Sequence, residues 1–260
     1  MVKFQKNVSL KNYTTFKIGG RAKYFFVAKI KEELIEAIKK AKEMKLPFFI
    51  LGGGSNILVS DKGFNGLVIK FGQPLSSYVS KGLEWVDGIP GTVQGAVCGN
   101  AGAFGKSMKD VVEKVEVLDV KNLKTKKLKN KDCKFGYRDS IFKHKKNLII
   151  LSVKIKTKKS NLKKIKQYLD YRKKTQPLNL PSAGSVFKNP AGFSAGKLVE
   201  DCGLKGKKIG NVKISEKHAN FIVNLGGGKA KDVMKLIKII KNRVKKKFGV
   251  VLEEEITILS

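Results

Sequence analysis

Cysteine, histidine, arginine and long apolar runs are all scarce in this sequence, and each scarcity removes a class of function. The three cysteines, Cys98, Cys133 and Cys202, are odd in number, far apart and outside any CxxC spacing. A disulfide framework and a cysteine-rich zinc site therefore drop out, and a reducing, cytoplasmic setting fits the chain best. With only His144 and His218, a cage of imidazoles has too few ligands, so no metal is expected. His144, inside Lys143-His144-Lys145-Lys146, reads as a solvated side chain. No run of about 18 apolar residues occurs, so no membrane insertion is expected. The first ten residues, MVKFQKNVSL, contain no apolar core of the kind that marks a secretory leader.

Acidic residues are also few: 21 Asp plus Glu face 55 Lys plus Arg, a formal net charge of +34. Such an excess first suggests nucleic acid. Its composition argues against that partner, because 51 of the 55 are lysine and only Arg21, Arg138, Arg172 and Arg243 are arginine. Arginine is the residue suited to bidentate phosphate and base recognition, whereas lysine is a solvated point charge. The densest basic stretches, 121–134 and 154–166, also offer few aromatic rings for base stacking. A solvated lysine-rich surface is the better reading, with no specific nucleic acid expected.

What remains is an ordinary globular composition, 42% apolar, read here as α+β in two parts. The run 23–28 (KYFFVA) predicts a strand. Leu34, Ile38, Ala41 and Met44 predict a helix over 31–45. Short strands are expected at 48–51, 57–60 and 67–71, and longer ones at 111–120 and 148–155. Leu162, Ile165 and Leu169 mark an amphipathic helix over 161–174, ending near Pro177. A loop is expected over 177–190. Val233, Ile237, Ile240, Val244 and Phe248 form a strong helical stripe closed by Gly249, and 250–259 reads as a final strand. The charged stretch 156–160 is the expected domain boundary.

Two glycine-rich segments stand out. Gly52-Gly53-Gly54-Ser55-Asn56 lies between two predicted strands, where successive N–H groups can form an anion-binding nest. It is neither a P-loop nor GxGxxG, and it leads into a strand rather than a helix. The segment 88–105 (GIPGTVQGAVCGNAGAFG) holds six glycines in eighteen residues. Gly91, Gly95 and Gly99 would form a bare stripe on a helix, suited to close backbone packing or to a flat ligand. Together the two segments suit an extended phosphate-containing ligand with a planar head, such as a flavin dinucleotide; a plain tight turn and close helix–strand packing are the alternatives.

Acids and bases are few. Ser185 follows Ala183-Gly184 without the GxSxG elbow of acyl transfer. On a strand, Glu253 and Glu255 would share one face with Glu254 opposite, and neutralisation of nearby lysines explains them on composition alone.

Seven segments together resemble one family, the UDP-N-acetylenolpyruvoylglucosamine reductases of bacterial peptidoglycan synthesis. They are 12–22 (NYTTFKIGGRA), 51–60 (LGGGSNILVS), 88–105, 135–142 (FGYRDSIF), 183–190 (AGSVFKNP), 203–224 and 248–256 (FGVVLEEEI). The resemblance implies an FAD-binding α+β domain of the vanillyl-alcohol-oxidase (PCMH) type, assigned to 1–157, and a smaller α+β substrate domain, 158–260. It further implies non-covalent FAD, NADPH as reductant and UDP-N-acetylglucosamine enolpyruvate as substrate. The family's catalytic residues fall on Arg138, Ser185 and Glu255. Its FAD-contacting positions fall on Gly52, Gly53, Gly54, Ser55, Asn56, Gly91, Thr92, Gly95, Ala96, Asn100, Ala101 and Gly102. Tyr137, Lys188, Asn189 and His218 are the implied substrate contacts. This chain departs from the family pattern in a shortened stretch between Lys70 and Gly88 and in Thr257, where an arginine usually follows the catalytic glutamate. The short span from Arg138 to Ser185 matches the compact subclass, without an extra substrate-covering loop. Other readings are a flavin oxidoreductase of the same fold acting on a small hydroxy acid, and a basic nucleic-acid-binding protein.

Overall fold

A computed structural model describes residues 2–260 and divides them into two compact units. The first takes the segment ending at Lys6 together with Tyr24–Gly53 and Gly66–Asp170; the second takes Asn7–Lys23, Gly54–Asn65 and Tyr171–Ser260. The division falls inside the helix Leu162–Thr175, and the second unit takes two N-terminal segments besides the C-terminal one.

In the first unit, the helix Lys31–Glu43 buries Leu34, Ala37, Ile38 and Ala41, the three- and four-residue spacing that puts them on one face. Glu32 and Glu33 open the helix while Lys40 and Lys42 close it, each sign placed to suit the helix dipole. That face joins Leu67, Ile69, Phe71, Leu118 and Leu151 in one apolar cluster. Phe48–Leu51 pairs in parallel with Phe64–Lys70, Phe48 opposite Leu67 and Leu51 opposite Lys70. Strands Gln5–Ser9 and Arg21–Val27 complete this sheet, in the order Gln5–Ser9, Arg21–Val27, Phe64–Lys70, Phe48–Leu51.

A second, antiparallel sheet has Val112–Asp119 at its centre, flanked by Leu148–Ile155 and Lys124–Lys129. Val115 and Val117 turn inward, alternating with exposed or half-buried charged neighbours. The edge strand Lys124–Lys129 leaves its lysines in solvent, as a solvated basic surface requires. The shortened stretch after Lys70 folds into two 3-10 turns, Leu75–Lys81 and Glu84–Val86. These deliver Leu75, Leu83, Trp85 and Val86 to a core shared with Val93, Val97 and Met108.

In the second unit, four short antiparallel strands run in the order Ser182–Ser185, Phe221–Asn224, Val212–Ile214, Lys208–Ile209. The helix Ala230–Phe248 buries Val233, Leu236, Ile237, Ile240 and Val244, and Gly249 closes it in the left-handed conformation (φ 69°), as a C-terminal glycine should. Its free N-terminal amides are met by Asp61, whose carboxylate accepts from Ala230 N at 2.8 Å and Lys231 N at 2.9 Å.

Two expectations are corrected here. The 177–190 segment is not all loop: Ser182–Ser185 is a strand, because its backbone finds the edge of Phe221–Asn224. The expected strand over 250–259 is reduced to Thr257–Leu259, which pairs in parallel with Ile57–Val59. Ahead of it the backbone forms only the isolated antiparallel bridge between Glu254 and Phe187. Among the described residues, no helix is long and apolar enough to cross a membrane.

Candidate active site

The two glycine segments meet within the first unit, and the contact explains two of the glycines sterically. A Cβ on Gly53 would lie 2.5 Å from Gly91 Cα, and one on Gly52 would lie 2.6 Å from Thr92 Oγ1. Only bare backbone permits this approach. The second segment is fixed from its other side, where Leu75 N donates to Gly91 O at 3.0 Å and Val93 N to Gln73 O at 2.8 Å. Thr92 then caps the helix Val93–Cys98, its Oγ1 accepting from Gly95 N at 3.2 Å.

The expected bare glycine stripe does not form. The helix is only six residues long and contains Gly95 alone; Gly91 precedes it at φ 144° and Gly99 follows as its cap. Ala96 is buried in the apolar core, so any contact it makes with a cofactor is through its backbone. Ala101 packs against the same core. Gly102 sits in a two-residue hairpin strand facing Lys106–Ser107.

Along the first glycine loop, among the described residues, the N–H groups of Gly53, Gly54 and Ser55 donate to no protein acceptor. Three successive donors without acceptors are what an anion-binding nest offers. Asn56, the fifth residue of the motif, has its amide engaged within the second unit, where Nδ2 donates to Glu255 O at 3.0 Å.

Arg138 sits in a four-residue turn of the first unit. Gly136 N donates to Asp139 O at 3.0 Å and Asp139 N returns to Gly136 O at 3.3 Å, leaving Tyr137 and Arg138 in the middle. Arg138 adopts φ 53°, the left-handed region that costs a non-glycine residue about 1–2 kcal/mol. Tyr137 is 57% exposed, and its ring centroid lies 5.5 Å from the Arg138 guanidinium carbon. Lys143 Nζ donates to Arg138 O at 2.6 Å, and the buried Ser140 hydroxyl donates to Cys98 O, also at 2.6 Å. His144 pairs with Asp139 at 2.8 Å, and this bond holds the Asp139 carboxyl below its ordinary range.

The second unit brings Ser185 and Glu255 onto adjacent backbone. Glu255 N donates to Val186 O at 2.7 Å and Lys188 N to Glu253 O at 2.9 Å, an antiparallel bridge centred on Phe187 and Glu254. Gly184, at φ 75°, supplies the left-handed turn that delivers Ser185, and a Cβ there would sit 4.0 Å from Ser55 O. On the acidic side of the bridge, Glu253 reaches Lys188 Nζ (2.9 Å) and Glu254 reaches Lys241 Nζ (2.9 Å). Glu253 and Glu254, adjacent in sequence, thus reach different lysines. The Lys188 bond lowers the pKa of Glu253. Asn189 is exposed, and its Oδ1 accepts from Ala195 N at 3.0 Å.

Asn220 is a residue that sequence reasoning missed. It is buried and grips the residue two beyond Ser185 from both sides: Oδ1 accepts from Phe187 N at 2.9 Å and Nδ2 donates to Phe187 O at 2.8 Å. Its own N–H donates to His218 Nδ1 at 3.2 Å. An accepting Nδ1 puts the neutral ring's proton on Nε2. Burial, with the charge of Lys205, pushes the His218 pKa below its ordinary value, so His218 is held as a neutral donor. Among the described residues, no cluster of three or more His, Cys, Asp or Glu is arranged to hold a metal.

Comparison with known proteins follows the same lines. Residues 176–259 match the family described as UDP-N-acetylenolpyruvoylglucosamine reductase, C-terminal domain. The UDP-N-acetylenolpyruvoylglucosamine reductase of Caldanaerobacter subterraneus subsp. tengcongensis is 44% identical, the alignment covering 99% of this chain and 94% of that protein. The one from Caldicellulosiruptor bescii is also 44% identical, over 99% and 91%. The crystal structure of UDP-N-acetylenolpyruvylglucosamine reductase from Thermus caldophilus is similar along the whole of both chains, with a TM-score of 0.85 and 34% identity.

Proposed function

We propose a complete reaction for this chain, which belongs to the UDP-N-acetylenolpyruvoylglucosamine reductase family of peptidoglycan precursor synthesis. The reaction is reduction of UDP-N-acetylglucosamine enolpyruvate to UDP-N-acetylmuramate, with NADPH as reductant and FAD held non-covalently. FAD, when bound, would supply the hydride chemistry between NADPH and C3 of the enolpyruvyl group. The observation that carries this reading is the run of N–H donors at Gly53, Gly54 and Ser55, without protein acceptors among the described residues, on a loop whose glycines pack against Gly91–Thr92. A diphosphate accepts several such donors at short range. In this reading Gly52, Asn56, Gly95, Ala96, Ala101 and Gly102 complete the cofactor's surroundings through their backbones.

The remaining work falls to three side chains. Addition at C3 drives negative charge through C2 onto the substrate carboxylate. Arg138 answers that charge with a bidentate guanidinium. Glu255, when protonated or sharing a proton, hydrogen-bonds the same carboxylate and polarises it. Ser185 gives its proton to C2 and recovers one from water or a neighbouring lysine. The backbone bridge from Glu255 N to Val186 O supports Ser185 and Glu255 acting on one group. Lys188 and Asn189 serve the phosphates and sugar of the substrate, Tyr137 stacks beside it, and the neutral His218 offers a donor.

The test begins with colour. The purified protein is expected to be yellow and to release about one equivalent of FAD on denaturation, and anaerobic NADPH should bleach it. A colourless chain that fails to take up FAD on reconstitution overturns the proposal.

A further inference from the structure

We infer that Asn100 is a positioning residue for Arg138. The inference rests on the reaction proposed above only for what Arg138 does, not for how it is held. Asn100 is buried and left-handed, at 5% exposure and φ 43°. Its carboxamide is engaged at both ends: Nδ2 donates to Gly136 O at 2.7 Å, and Oδ1 accepts from Lys109 N at 2.9 Å. Gly136 is the first residue of the turn that carries Arg138, and its carbonyl also receives Asp139 N at 3.3 Å. The contact from Asn100 is the shorter of the two. It ties the turn to the rigid end of the helix Val93–Cys98, where the buried Ser140 hydroxyl reaches Cys98 O.

The residue type follows from this geometry. The position needs a donor for Gly136, an acceptor for Lys109 N and tolerance of the left-handed region. Asparagine meets all three. Glycine would supply the backbone without the amide. Aspartate would keep the acceptor and lose the donor. The clamp matters because Arg138 is itself left-handed (φ 53°), a conformation that persists only where its surroundings over-determine it. Freed of Asn100, the turn can relax toward ordinary backbone, and the guanidinium swings with it. A misplacement of about 1 Å at a group that meets the developing charge can cost on the order of 100-fold in rate.

The experiment uses the full-length holoenzyme and three variants: Asn100→Gly, which keeps the backbone conformation, Asn100→Asp and Arg138→Ala. Hydrogen exchange reads the clamp without reference to any substrate. Asn100→Gly should speed exchange at the Gly136 and Asp139 amides at least tenfold while leaving Leu148–Ile155 unchanged. Anaerobic stopped-flow reads the consequence. With each variant saturated with FAD, reoxidation by the enolpyruvyl UDP-sugar should slow about 10- to 100-fold, a larger factor than any slowing of bleaching by NADPH. Asn100→Asp should fall with Asn100→Gly, and in an Arg138→Ala background Asn100→Gly should add less than about twofold.

Unchanged exchange at the turn overturns the clamp. Equal slowing of bleaching and reoxidation, or multiplicative losses in the double variant, makes its role a general structural one; either result overturns the proposal. A wild-type enzyme that is bleached but not reoxidised by the UDP-sugar contradicts the proposed reaction instead, and the exchange result still decides the clamp.

Discussion

Adding a single methyl group at Gly53 puts the most weight on the packing of the two glycine segments. Gly53→Ala places a Cβ 2.5 Å from Gly91 Cα, 3.0 Å from Gly91 C and 3.1 Å from Gly91 N. All three atoms are backbone, so no side chain can swing aside and the segments must separate by about 1 Å to reach ordinary contact. Overpacking of this kind costs about 1–3 kcal/mol. At roughly 2–4 °C per kcal/mol for a chain of this size, Tm should fall by about 2–12 °C. The same separation moves the Gly53 N–H out of register with its neighbours, so FAD affinity should weaken about tenfold or more, as loss of a charge-assisted hydrogen bond of about 1.5–3 kcal/mol implies. Gly95→Ala is the control within the same motif. Its nearest contact is Thr92 Oγ1 at 3.3 Å, and alanine gains about 1 kcal/mol of helix propensity there, so Tm should hold or rise. Differential scanning fluorimetry and quenching of flavin fluorescence read both quantities. Should Gly53→Ala keep wild-type Tm and FAD affinity, or should Gly95→Ala prove the more damaging, the steric argument is wrong.

Three further outcomes follow from the second unit. Ser185→Ala should be bleached by NADPH at the wild-type rate yet lose turnover to product, and equal slowing of both half-reactions in stopped-flow would remove its role as proton donor. Asn220→Ala leaves the Phe187 N–H and carbonyl, now bonded at 2.9 and 2.8 Å, buried without partners. At about 1–3 kcal/mol for each group, thermal unfolding should show a loss of roughly 5–20 °C. His218 has a folded-state pKa depressed by burial. The unfolded chain therefore takes up a proton first as pH falls below about 6.5, and the stability present above that value drains away toward the folded pKa. Tm of wild type should consequently drop more steeply than that of His218→Gln between pH 7 and 5; parallel curves would show that His218 titrates alike in both states.

Much of the fold was legible because its signals are local. The helix at 31–43 and the long one ending at Gly249 announce themselves through apolar spacing and capping chemistry, and the strand at Leu148–Ile155 coincides with its sequence expectation. Segments shaped by partners distant in sequence were less legible. The Ser182–Ser185 strand exists because Phe221–Asn224 offers it an edge, and the acidic stretch before Thr257 follows its lysines rather than a ladder. The glycines illustrate the same divide. Their number pointed to a ligand, but only the structure reveals that Gly53 and Gly91 answer each other and that Gly95 stands alone in its helix. The candidate catalytic side chains, and Asn100 as a site position, could be read from motif resemblance, whereas the backbone contacts of Asn100 and Asn220 could not. Asn100 reaches a carbonyl 36 positions away and Asn220 reaches a backbone pair 33 positions away, distances at which no local period carries information. The lysine excess, finally, lies largely on exposed surfaces such as the strand Lys124–Lys129, where it raises encounter rates with anionic ligands without marking a site.

The central claim is that electrons from NADPH pass through bound flavin to an enolpyruvyl UDP-sugar. Anaerobic reduction of the holoenzyme followed by addition of UDP-N-acetylglucosamine enolpyruvate tests it most directly. The yellow colour should return in step with one equivalent of UDP-N-acetylmuramate, and Ser185→Ala, reduced in the same way, should stay bleached. A wild-type flavin that remains reduced in the presence of the UDP-sugar would contradict it.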